Sequence, residues 1–278
     1  MFTELVTKKA SVSELEAALQ QGADLNEVDK TGHTALDIAI DDMQIETVNF
    51  LLSNKNIAFL ATPLFYAAKR ANITALKACV AAEIDVNARY IDGFTALIVA
   101  VSEAHEHLQI DKELTHPSNN QYSNYKEIVR LLIEAGANPN LANDSEQTPL
   151  HSAGNFGETE LAKILLETCL VNKKMVNLNA GDLYGLSPLH FACRAGNLRM
   201  AELLLEWGAD PNSQEKYGFT PLHEAVESNH IEIVRLLIRK GADKNIAIDV
   251  DFKPYFVGTK PYDIAKIRNY KELADLLK

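Results

Sequence analysis

Eight histidines and three cysteines in 278 residues are the side chains from which a metal site or an acid–base centre would be built. His105, His107 and His116 crowd one segment, and imidazole is a common transition-metal ligand. Their spacing does not close a site. On a helix His105 and His107 point about 200° apart. No Cys or His-x3-His pattern completes a tetrahedral set, and the run HEHL lacks the H-E-x-x-H order that stacks two ligands one turn apart. Solvated histidines and no metal are expected. His151, His190 and His223 lie near Ser or Asp as a general base would, yet each is the fourth residue of a recurring motif, TPLH or SPLH. Recurrence points to scaffolding. There is no G-x-S-x-G elbow, no phosphate-cradling G-x-x-x-x-G-K and no dinucleotide loop after a strand. No catalytic residue, no cofactor and no enzyme are therefore expected.

Cys79, Cys169 and Cys193 are odd in number, far apart, and set in apolar helical patterns. Buried reduced thiols are expected rather than bridges or metal ligands. The formal net charge of -11 disfavours a nucleic-acid partner, because gripping a phosphate backbone needs Lys and Arg to displace counterions. A protein partner with a basic surface suits it. The charge is concentrated early: residues 1–50 hold ten Asp or Glu against three Lys. The opening MFTELVTKKASVSEL has no uninterrupted apolar core and no stretch reaches the length of a membrane span. The expectation is a cytoplasmic protein, or a nuclear one in a eukaryote, that touches no membrane and is monomeric when unbound.

What positions these residues is a repeat. Aligned on the Thr or Ser of the motif, the starts fall at Thr34, Thr62, Thr95, Thr148, Ser187, Thr220 and Thr259, with intervals of 28, 33, 53, 39, 33 and 39 residues. Each letter has a task. In Thr220-Pro221-Leu222-His223 the Thr caps a helix, Pro fits its first position, and His returns a bond to the turn. IVRLLI occurs twice, at 128–133 and 233–238, and presents an apolar face at helical spacing. Gly22, Gly136, Gly208 and Gly241 follow the second helices where a left-handed cap is needed. Asn26, Asn87, Asn140, Asn212 and Asn245 then occupy the connecting hairpin.

A run such as DLYGLSPLHFACRAGNLRMAELLLEWGADPN, Asp182 to Asn212, resembles the ankyrin-repeat family, and the resemblance covers essentially the whole chain. It implies an all-α repeat solenoid with short β-hairpin turns, each unit being a turn and two antiparallel helices. The chain then divides as one domain, 1–278. An N-terminal cap at 1–28 is followed by repeats at 29–56, 57–89, 90–142 with an insertion at 106–125, 143–181, 182–214 and 215–253, and by a C-terminal cap at 254–278. The insertion should extend a helix with its first half and loop with HPSNNQYSN before the next helix begins near Tyr125. The hairpin between Ser53 and Thr62 should be shortened. Phe252, Tyr255 and Phe256 come together in a lengthened loop and should pack as a satellite cluster.

The resemblance further implies a concave surface of hairpin tips and outward first-helix positions, free to vary because the core lies elsewhere. Carried over position by position, it comprises Lys30, Thr31 and His33; Ile91, Asp92, Phe94, Ser102 and Glu103; Asp144, Ser145, Gln147, Asn155 and Phe156; Leu183, Tyr184, Leu186 and Arg194; and Lys216, Tyr217, Phe219, Glu227 and Ser228. Glu146 stands where the fifth turn should have Gly, which places that hairpin's geometry in question. Phe94, Phe156, Leu183, Tyr184, Leu186, Tyr217 and Phe219 make an apolar and aromatic stripe, with Phe94 and Phe219 expected to pack partly against neighbouring hairpins. The function expected is a non-catalytic scaffold that binds a partner protein, in the manner of a bacterial immunity or inhibitor protein. The alternatives are an adaptor or secreted effector recruiting a regulatory or host protein, and an enzyme using histidines near residues 106–125.

Overall fold

A computed structural model describes residues 2–54, 62–113 and 121–278, with backbone alone at 62, 106–113 and 121. Among these residues the chain forms sixteen α-helices and almost no strand; the only β pairings are isolated bridges, Val28 to Thr34 and Phe252 to Tyr255. It falls into two compact units, Met1–Asn138 and Pro139–Lys278.

The first unit holds α1 (Phe2–Thr7), α2 (Val12–Gln20), α3 (Ala35–Asp41), α4 (Ile45–Ser53), α5 (Thr62–Lys69), α6 (Ile73–Ala81), α7 (Ala96–Glu113) and α8 (Gln121–Glu134). Odd-numbered helices pack side by side in one row, even-numbered helices in another, and each pair joins the rows. The second unit repeats this arrangement with α9 (Pro149–Phe156), α10 (Thr159–Val171), α11 (Pro188–Ala195), α12 (Leu198–Glu206), α13 (Pro221–Glu227), α14 (Ile231–Arg239), α15 (Pro261–Ile267) and α16 (Lys271–Leu277). Short apolar periods produce the rows. In α14 Ile233, Val234, Leu236 and Leu237 are buried on one face, each worth about 1.5–3 kcal/mol in removed apolar surface. Ala192 and Ala225 are fully buried in the facing row, where a small side chain lets helices approach closely. Cys79, Cys169 and Cys193 are also fully buried, and burial pushes the Cys79 thiol up to about 12 and Cys169 to about 11, so none is poised to react.

The motif residues do what their chemistry allows. Thr148, Ser187 and Thr220 cap α9, α11 and α13 with Pro at the first turn. His151, His190 and His223 accept the cap N–H at Nδ1, at 3.0, 3.1 and 3.1 Å. A ring nitrogen that accepts is unprotonated, so Nε2 carries the hydrogen. It reaches across to the next repeat: His151 donates to the Leu186 carbonyl at 2.9 Å and His190 to that of Phe219 at 3.1 Å. In the first unit Asp37 replaces the histidine and accepts the Thr34 N–H at 2.9 Å. Hairpin asparagines also bridge repeats, Asn140 accepting from Asn177 and Asn212 from Asp243, each at 2.7 Å.

Three sequence readings change. The last motif starts at Lys260, not Thr259, because Asp263 accepts the Lys260 N–H at 3.0 Å and Pro261 opens α15. In this widened junction the Nε2 of His223 faces the Thr259 backbone without closing a full hydrogen bond. α7 does run on to Glu113, but α8 begins at Gln121, four residues before Tyr125. Its first turn is tied down by Asn124 donating to the Ala71 carbonyl at 3.1 Å and Tyr125 to that of Lys69 at 2.7 Å, bonds that outweigh local turn preference. Glu146 keeps its hairpin: it takes the left-handed φ of 59° that Gly185 takes at 81°, a strain of about 1–2 kcal/mol for a residue with a Cβ, while Asn143 still receives the Gln147 N–H at 2.9 Å. The shortened hairpin after Ser53 and the loop containing His116 lie outside the described residues.

Candidate partner-binding surface

Four hairpin tips are built by one acceptor side chain five residues before the helix cap, Asp29, Asn143, Asp182 and Glu215, whereas Tyr90 in that place closes its turn through the backbone. Asp29 accepts the N–H groups of Thr31 and His33 at 2.8 and 3.0 Å, and Asp182 those of Tyr184 and Leu186 at 2.9 and 3.0 Å. The Thr31 hydroxyl, first, holds the Asp29 carboxyl below its ordinary range. Glu215 does the same turn work for Tyr217 and Phe219 at 2.8 and 3.0 Å. In the second unit successive tips are also bonded backbone to backbone: Leu183 N–H to the Ser145 carbonyl at 3.2 Å, Lys216 to Tyr184 at 2.8 Å, and Asp249 to Tyr217 at 3.3 Å. Residues between these anchors are held rigidly.

In the first unit Lys30 and Asp92 are exposed and Ile91 is 64% exposed at the tips, while Phe94 is half-buried. His33 is engaged by the Tyr66 hydroxyl and by Thr31, and Glu103 lies 3.9 Å from Lys69. Tyr66 and Tyr90, with Phe65, form an aromatic cluster there that the sequence reading missed. Thr62-Pro63-Leu64-Phe65 is the motif with Phe in place of His, so Tyr66 occupies the next helical position, as Glu224 does after His223.

In the second unit Asp144, Ser145 and Phe156 are exposed and Gln147 is half-buried, and none of them lines the groove formed by the next two repeats. Tyr184, Leu186, Arg194, Tyr217 and Phe219 do line that groove, of about 280 Å³, together with Glu215, Glu224 and Phe252. Leu186, expected on the open stripe, and Phe219, expected to pack partly against a neighbouring hairpin, are each 7% exposed and supply its floor. The walls are Tyr184, 55% exposed, and Tyr217, whose ring lies 5.2 Å from that of Phe252. Leu183 and Lys216 stand exposed at the adjoining tips. Arg194 clamps Glu224 through two bonds of 2.9 Å, which holds the guanidinium above its ordinary pKa. Burial pushes the Glu215 carboxyl up. Glu227 faces elsewhere, held by the Tyr255 hydroxyl and by Arg268 at the C-terminal cap. Phe252 joins the groove although the sequence placed it in a satellite cluster, because the loop before α15 folds back over Tyr217.

The arrangement suits recognition. Among the described residues no three His, Cys, Asp or Glu side chains group as metal ligands, and no helix is long and apolar enough to cross a membrane. Side chains of His107 and His116 lie outside those residues. The repeated histidines are committed to scaffold bonds.

Comparison with known proteins agrees with the repeat. Residues 120–215 match three copies of the ankyrin repeat and residues 217–249 a further one. The chain is 30% identical over 74% of its length to the human transient receptor potential cation channel subfamily A member 1, of which the match spans 17%. Human NF-kappa-B inhibitor alpha is 36% identical over 34% of this chain and 29% of its own. The ankyrin repeat protein YahD of Escherichia coli K12 is 27% identical over 58% of this chain and 92% of its own. The chain thus spans well under two thirds of the first two. With capped helix pairs of one design continuing on both sides of these matches, the chain belongs to the ankyrin-repeat family, whose repeats serve as protein-interaction modules.

Proposed function

We propose that the chain is a non-catalytic scaffold whose second unit binds a protein partner at the groove between the tips at Leu183–Tyr184 and Lys216–Tyr217. The observation that carries this is Tyr184, a large aromatic side chain left 55% exposed beside an apolar floor on a hairpin fixed around Asp182 and Tyr184 by three backbone-to-backbone bonds and two from N–H groups to the Asp182 carboxylate. Exposed aromatic anchors on a preorganised backbone are what binding hot spots require. The net charge of -11 favours a partner with a basic surface. Rigid occlusion of that partner is the mode that fits, and the likeness to a protein named as an inhibitor supports it. An immunity or inhibitor protein that neutralises a toxin or enzyme is the form of that mode we favour.

Capture from the source cells, with mass spectrometry of what is retained, tests this. The wild-type bait is expected to retain one dominant basic protein, and a bait carrying Tyr184→Ala and Tyr217→Ala at most about a tenth as much, since aromatic hot spots cost about 2 kcal/mol or more each. Equal retention by both baits removes the groove from the account, and retention only through nucleic acid removes the protein partner.

A further inference from the structure

Glu215 has unfinished chemistry. It is 8% exposed and lines the groove. Its Oε1 accepts both turn N–H groups, whereas Oε2 makes no hydrogen bond or ion pair among the described residues. Oε2 is not sealed away from solvent, so it is open to a donor that enters the groove. The corresponding residues of the two preceding tips, Asn143 and Asp182, make the same two turn bonds and do not line the groove.

The local charges do not cancel. Two carboxylates, Glu215 and Glu224, line the groove with one guanidinium, Arg194, and both of its bonds go to Glu224. Lys216 lies 6.0 Å over the ring of Tyr217 instead of pairing with Glu215. One negative charge therefore stands uncompensated among ring faces, which themselves attract cations. Tyr217 and Phe252 lie 5.2 Å apart with planes inclined at 35°, and Tyr184 is open on the other tip. A groove of about 280 Å³ has room for one long side chain.

We propose that the groove takes a cationic side chain, an arginine or lysine presented by the partner protein, with Glu215 Oε2 as its counter-ion and Tyr184, Tyr217 and Phe252 as its walls. The inference rests on the partner-binding reading above and adds to it the chemistry of the residue that anchors the complex.

The probes are acetyl-Gly-Arg-Gly-amide, its lysine counterpart, and the citrulline analogue, which keeps shape and hydrogen bonding without the charge. Each is titrated into the ¹⁵N-labelled full chain to about 10 mM, the range in which a single side chain binds. A cationic peptide is expected to shift the amides of Tyr184, Tyr217, Phe219 and Phe252 with at least about tenfold higher affinity than the citrulline peptide. Glu215→Gln keeps an oxygen for the two turn bonds and should abolish that preference at an unchanged urea midpoint. Tyr217→Leu, which leaves the hairpin acceptor in place, should weaken cationic binding about threefold or more. Equal binding of citrulline, no shift with any peptide, or undiminished preference in both variants overturns the proposal. The two readings separate in capture: a Glu215→Gln bait that retains the partner fully while Tyr184→Ala with Tyr217→Ala loses it defeats the cation subsite and leaves the protein-binding surface standing. Full retention by both baits defeats both.

Discussion

Replacing His190 with alanine lowers the unfolding free energy by about 3–5 kcal/mol, measured by urea denaturation at pH 7.5. The ring is fully buried and bridges two repeats, taking the Ser187 N–H at 3.1 Å and giving to the Phe219 carbonyl at 3.1 Å. Alanine leaves the buried Ser187 N–H unpaired, at about 1–3 kcal/mol, removes one of the two bonds to the Phe219 carbonyl, which keeps the Glu215 N–H at 2.9 Å, and opens a cavity between α11 and α13. His33→Ala is the contrast. That ring is half-buried at a hairpin tip, so its loss should cost under about 1 kcal/mol. If the two variants lose equal stability, the histidines do not form the interlocking spine described above.

Acid should dissolve the same spine. Burial, first, pushes His190 and His223 down to about 4, against an ordinary 6.5, and His151 is lowered for the same reason. Above pH 6.5 the imidazoles are neutral in both folded and unfolded chain, and their contribution does not vary. As pH falls from 6.5 to about 4 the unfolded chain binds protons that the folded chain refuses, so stability is lost across that window and the loss is complete below it. Each of the two shifts is worth about 3 kcal/mol. Glu215 runs the other way, its raised pKa returning a part of the loss. The urea midpoint is therefore expected to hold between pH 8 and 7 and to fall steeply by pH 5, with a shallower fall in His190→Ala. A midpoint that rises on acidification contradicts the neutral, accepting Nδ1 on which the scaffold depends.

Much of the fold was legible because its signals are local. A Thr or Ser before Pro, an apolar face of three or four residues, and a Gly after it each act within one turn: α9, α11 and α13 start at their Thr or Ser before Pro, and α12 and α14 stop just ahead of Gly208 and Gly241. The misses are long-range. Thr259 and Lys260 are equally good letters in a motif, and only the return of Asp263 to the Lys260 N–H decides between them. Gln121 to Asn124 read as loop because their helix is anchored by carbonyls at Lys69 and Ala71, some fifty residues away. The groove was half visible. Tip positions could be carried along the repeat to Tyr184, Arg194 and Tyr217, which line it, but depth could not, so Leu186 was read as open stripe although it lies underneath. Glu215 and Glu224 were missed although each has a recurring place, five residues before the cap and directly after the motif histidine. Phe252 had no such place, since an irregular loop delivers it.

The most direct test of a partner-binding groove is the Kd for the captured partner, measured by calorimetry with the wild-type chain, with Tyr184→Ala plus Tyr217→Ala, and with a control pair, Leu170→Ser plus Met175→Ser. Leu170 and Met175 are 68% and 86% exposed and line a different cavity with Trp207. The groove pair should weaken binding about 100-fold or more, and the control pair less than about twofold. The reverse pattern, with the groove pair neutral and the Leu170 and Met175 pair disruptive, would place the partner on the other patch and contradict the account.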